Sequence, residues 1–207
     1  MPWLDLILEL LFLNPPHFRL TFALMSATSA GQSFLEAIAT DDLPELGPGP
    51  RAGVLPPEEL LAKADAWLAD KKLSARTTKL FRAAALLWHD HHDAAHLIVQ
   101  DDPSSEASFL HAILHRREPD ASNARYWINR VGRHPVYVTI AKRVSEYLEG
   151  DEFKRWRDIL VPEGVWDPEG FVDACYICNP REFTYPLFQQ IQRIELEALL
   201  DYLRRRG

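Results

Sequence analysis

Apolar residues recur at helical spacing along most of this chain. Nowhere do they sustain the two-residue rhythm of a half-buried strand. Leu60, Leu61, Ala64, Trp67 and Leu68 mark one helix, opened by Pro57-Glu58-Glu59, a proline with acids in the first turn. Leu80, Ala84, Leu87 and Trp88 give an apolar face to a second, beginning near Ala75. Further helices are predicted over 92–100, 104–117, 120–131 and 135–148. Asp102-Pro103 and Asp120 supply start signals, and Gly132 and Gly150 supply stops. A short helix over 151–160, a cap at Asp167-Pro168-Glu169 and a long helix over 181–206 complete the series. In the last of these Leu187, Ile191, Ile194 and Ala198 fall at i, i+4, i+7 and i+11, one face of a helix. The run Val136-Tyr137-Val138-Thr139-Ile140 has β-propensity, but Pro135 before it and AKRVSEYL after it favour a helix. The pattern predicts an all-α fold.

The organisation shows one faint repeat. DAAHLIVQDDP and SNARYWINRVGRHP each place a small residue before an amphipathic helix that ends near a proline. Helix pairs of roughly 30–35 residues are the unit of tetratricopeptide-like arrays. The expectation is a single domain of packed antiparallel helix pairs over 51–207. GPGPRAGVLPP at 47–57 reads as a linker that sets off a short helix near 32–39, so residues 1–50 are expected to be an extension and linker. Residues 1–25 are apolar but broken by Asp5, Glu9 and Pro15-Pro16. No stretch there reaches the roughly 20 apolar residues of a spanning helix. The favoured explanation is an upstream extension over 1–24 with the natural start at Met25. The alternative is an amphipathic segment that associates with membranes.

Charge narrows the partners. The 207 residues carry a net charge of −7, which argues against a general nucleic-acid binder, because phosphate neutralisation needs a basic surface. Arg204-Arg205-Arg206 closes a predicted helix, where cations suit the negative end of the dipole. Two cysteines are too few for a disulfide scaffold, which implies a reducing compartment and a cytoplasmic protein. Cys175 and Cys178 form a C-x-x-C, but no βαβ setting and no second ligand pair accompany it. They read as small core residues.

Seven of the eight histidines lie between His89 and Pro135. His111, His115 and Glu118 fall at i, i+4 and i+7, which on one helix puts two imidazoles and a carboxylate on the same side. His96, from the preceding helix, would complete a metal shell across the pair. Zinc, iron and manganese are the candidate ions. Glu118 would be a ligand or a general base, although Pro119 pushes it out of helical geometry and threatens to turn its carboxylate away. Arg116, Arg117 and Arg130 offer an anion site, with internal pairing to Glu118 and Asp120 as the favoured alternative. Asn123 and Tyr126 share a face and either bond the preceding helix pair or line a cleft. Trp88 and Trp127 read as core. A turn is expected near 89–93, leaving His91 and His92 solvated.

The stretch HAILHRREPDASNARYWINRVGRHP resembles a signature of a family of helical proteins of about this size from bacteria and fungi, to which no activity is attached. The resemblance covers roughly residues 58–203. It places His96, His111, His115, Arg116, Arg117, Glu118, Asn123, Tyr126, Trp127, Arg130, Gly132, His134 and Pro135 at motif positions, but not His91 or His92. The leading expectation is a repeat-like interaction domain whose His/Arg/Glu-lined groove takes a protein partner or a small anionic ligand. The rival is a metal-dependent, hydrolase-like enzyme built on His96, His111, His115 and Glu118. A third reading is a purely structural polar network.

Overall fold

The computed structural model describes residues 32–118 and 120–206. The expectations for residues 1–25 lie outside the described residues. Ten α-helices and no strand are found among the described residues: α1 (Phe34–Ala37), α2 (Pro57–Leu68), α3 (Ala75–Trp88), α4 (His92–Val99), α5 (Ser105–Arg117), α6 (Ala121–Val131), α7 (Val136–Tyr147), α8 (Lys154–Leu160), α9 (Pro168–Ile177) and α10 (Thr184–Arg206). The all-α reading holds, and the β-prone run at 136–140 is helical within α7.

Local chemistry accounts for the boundaries. The side-chain oxygens of Ser74, Ser104, Asp120 and Asp167 accept backbone N–H groups at the starts of α3, α5, α6 and α9. Gly132 closes α6 at φ +63°, a conformation a side chain would strain. Successive helices from α2 to α6 pack on one another, and α10 then lies against both α7 and α3. That return closes the core, whereas in a repeat array each unit touches only its neighbours.

Residues 33–51 belong to this core, which corrects the expected boundary at residue 50. Phe34, Leu35, Ile38 and Leu46 are buried. Phe34 sits edge-on to both Trp67 and Phe81. The backbone of Leu46 donates to the Tyr185 hydroxyl, and the Gln192 amide donates to the Glu45 carbonyl. A four-residue helix is not stable alone, and burial of Phe34 and Leu35 against the core holds α1 in place.

Helix α5 is the centre of the fold. From Ala107 to Arg117 every residue is buried, polar ones included. Its histidines and arginines are therefore cut off from solvent, and any polar atom there without a partner calls for an explanation.

Candidate metal centre

Consecutive residues on an α-helix point about 100° apart. On a helix surrounded on all sides, His115, Arg116 and Arg117 are thus sent in three directions. His115 joins His111 on the face toward α4 and α6. Arg116 turns to α10, where it pairs with Glu195 at 2.7 Å, reaches the Gln192 side chain and lies over the Phe171 ring. Arg117 pairs with Asp90 at 2.5 Å and donates to the carbonyls of Leu87 and Gly47. Neither arginine pairs with His96, His111 or His115, and their partners are Asp90 and Glu195, not Glu118 and Asp120. Asp90 also accepts the backbone and side chain of Arg51, so it ties the 47–51 segment to α5.

The histidine face is different. One ring nitrogen from each of His96, His111 and His115 lies within 4.8 Å of the others. His111 and His115, one turn apart, stack with ring centroids 4.9 Å apart, and His96 meets His111 edge-on at 4.6 Å. A tetrahedral ion with bonds of 2.0–2.1 Å holds its nitrogens about 3.3 Å apart, so small side-chain rotations close the shell. Neither ring nitrogen of buried His111 has a hydrogen-bond partner. Burial, reinforced by His115, His96 and Arg130, pushes the His111 imidazolium down to about 3. His111 is therefore neutral near pH 7, with a lone pair to give.

Glu118 leaves the helix in extended geometry, φ −82° and ψ 155°, as its position before a proline requires. Its carboxylate nevertheless turns back and accepts from His115 Nδ1 at 2.8 Å. This corrects the expectation that it would be turned away. A proton on Nδ1 leaves Nε2 as the donor nitrogen of His115, the usual arrangement behind a metal-bound imidazole. The Asn123 amide nitrogen lies 3.2 Å from that Nε2.

Helix α6 walls the site. Trp127, one turn beyond Asn123, stacks on His111 at 3.7 Å with an interplanar angle of 16°. It is half-buried, so the core reading holds for Trp88 but not for Trp127. The Arg130 guanidinium lies over Trp127, 5.2 Å from the ring centroid. Tyr126 is exposed at the rim, edge-on to Trp127, its hydroxyl 3.5 Å from Arg130 Nη1. Of the residues expected at a site, the fold gathers His96, His111, His115, Glu118, Asn123 and Arg130, with Tyr126 beside them.

The remaining histidines have structural surroundings. The turn near 89–93 is present, with Asp90 at φ +62°. Fully buried His89 accepts from the Leu55 N–H at Nδ1 and donates from Nε2 to the Ile38 carbonyl. His91 bonds the Leu55 carbonyl at 2.7 Å, and His92 is buried, pushed down to about 4 mainly by burial and then by Arg117. These two are not solvated as expected, because the docked 47–57 segment and Arg117 cover them. His134 accepts from the Val136 N–H and packs on Tyr202. Cys175 is a buried thiol pushed up to about 12 by burial, and no disulfide joins it to Cys178.

Sequence reasoning missed Trp127 as a wall of the site, and Asp90 and Glu195 as the arginines' partners. Glu195 had a signal: it falls on the apolar stripe of α10, four residues after Ile191 and four before Leu199. An acid there needs a buried cation. No helix among the described residues is long and apolar enough to cross a membrane. Comparison with known families, with curated proteins and with solved structures finds no match to this chain.

Proposed function

We propose that this protein is a metal-dependent enzyme of hydrolytic type, with a divalent ion held by His96, His111 and His115. The observation that carries the reading is His111, a buried imidazole with both nitrogens unpartnered beside two further imidazoles. Buried polar groups are ordinarily satisfied, and other buried histidines such as His92 and His134 leave one ring nitrogen without a hydrogen-bond partner where His111 leaves both. Three imidazole nitrogens suit zinc first, since iron and manganese sites usually add carboxylates to the shell. Such an ion, when bound, polarises a substrate oxygen and lowers the pKa of a bound water. Glu118, bonded to Nδ1, would hold His115 in the tautomer that leaves Nε2 for the ion, acting from behind the ligand. The motif HAILHRRE then divides by role: the histidines and Glu118 form the centre, and the arginines lock α5 into the core. An interaction groove lined by all of these residues has less support, because Arg116 and Arg117 are buried in ion pairs.

The test is zinc titration of tag-free, chelator-treated protein by calorimetry, with elemental analysis after dialysis. One ion per chain is expected in the wild type and none in His111→Ala or His96→Ala, with circular dichroism confirming that each variant folds. His96 is half-buried, so at least that variant keeps its fold. Wild-type protein that is folded and takes up no ion would overturn the reading.

A further inference from the structure

Resting on that metal-centre reading, we infer that the substrate carries an oxyanion, a phosphoryl or carboxylate group, which Arg130 holds beside the ion. The geometry rests on Trp127, whose ring stacks on His111 at 3.7 Å and also carries the Arg130 guanidinium 5.2 Å from its centroid. Laid end to end, these distances place the guanidinium no more than about 9 Å from the His111 ring, close to the Debye length of about 8 Å at physiological salt. Arg130 is exposed, and no carboxylate among the described residues pairs with it.

The stack also keeps the guanidinium ready for use. Trp127 holds its flat face, and the Tyr126 ring and hydroxyl brace it from the side. Apart from Nη1, which donates to the Tyr126 hydroxyl at 3.5 Å, no N–H of this guanidinium meets a protein acceptor among the described residues, and such donors match the oxygens of a phosphate or carboxylate. A fixed cation near a dication raises the energy of the site unless an anion lies between them. An oxyanion held by Arg130 beside the ion would offset that repulsion. Positively charged substrates are disfavoured on the same ground.

Cobalt-loaded protein tests this, because cobalt in a nitrogen site absorbs visible light and reports a ligand joining its shell. Inorganic phosphate and, separately, acetate are titrated into cobalt-loaded wild type and Arg130→Gln, with cobalt retention checked afterwards. Arg130 is exposed, so the substitution leaves the fold and the cobalt stoichiometry intact. At least one of the two anions is expected to shift the wild-type spectrum saturably. Its half-saturation should rise about tenfold in Arg130→Gln, the loss of one charged contact. The anion with the larger ratio identifies the group. Equal response of both proteins, or no response in either, with cobalt bound to both, overturns the inference and leaves the metal centre standing. Cobalt that binds neither protein overturns both.

Discussion

At Asp90 a single carboxylate serves two arginines, and the arrangement shows how this protein handles buried charge. Burial alone would raise its carboxyl pKa, but Arg117 and Arg51 more than offset that and hold it below the ordinary value. Asp90→Asn tests the pair cleanly, since Asn tolerates the positive φ that Asp90 adopts. It leaves Arg117 buried without a counter-charge, so a loss on the order of 3–5 kcal/mol is expected in urea unfolding. A loss under about 1 kcal/mol would mean that water reaches the network. Glu118 sits at the opposite extreme, part-exposed and acting through His115. Glu118→Ala should leave one zinc per chain but weaken its hold by about 10–100-fold in chelator competition, as loss of a partner behind a ligand does. Unchanged affinity would remove Glu118 from the centre.

At the scale of elements, α5 decides what its side chains can do. It is buried on every face, so its start is fixed from within: the Ser104 hydroxyl oxygen accepts the Ala107 N–H at 3.2 Å. Ser104→Ala should cost about 1 kcal/mol in thermal or urea unfolding. An effect near zero would show that α5 is held by its packing alone. The one-turn spacing on α5 brings His111 and His115 together, and the same spacing on α6 puts Asn123 and Trp127 opposite them. The 100° step between neighbours sends Arg116 and Arg117 to separate partners. Pairing α5 with α4 supplies His96, which no spacing within α5 could provide.

For the whole molecule the consequence is a sensitivity to acid. His89, His92 and His134 are all buried, and burial is the main cause lowering each imidazole's pKa. The sign follows from proton counting. Below the ordinary value of 6.5 the unfolded chain takes up protons that the folded protein refuses, so stability present at neutral pH is lost on acidification. The window runs from 6.5 down to about 4, the value to which His92 is pushed. His92 alone should contribute a loss on the order of 2 kcal/mol at pH 5. Urea midpoints of metal-free protein at pH 7 and pH 5 check this, and a midpoint at pH 5 equal to or above that at pH 7 would contradict it. Protonating His89 adds to the loss, because its Nδ1 accepts the Leu55 N–H and cannot do so once it carries a proton.

Helix identity, caps and the trio of histidines were all legible in the chain. Apolar spacing, Ser/Asp/Pro starts and glycine stops act over a few residues, and so does the one-turn relation of His111 to His115. The extended geometry of Glu118 was legible for the same reason, since a following proline acts on its immediate neighbour. The tertiary structure alone decided which partners met across long separations: Arg117 with Asp90, Arg116 with Glu195, and residues 33–51 with the core. It also decided that His92 is covered and that Trp127 is a wall of the centre. Spacing along a helix says which residues share a face, but the packing of the other helices says what that face meets. Periodicity along one helix carries no record of that packing.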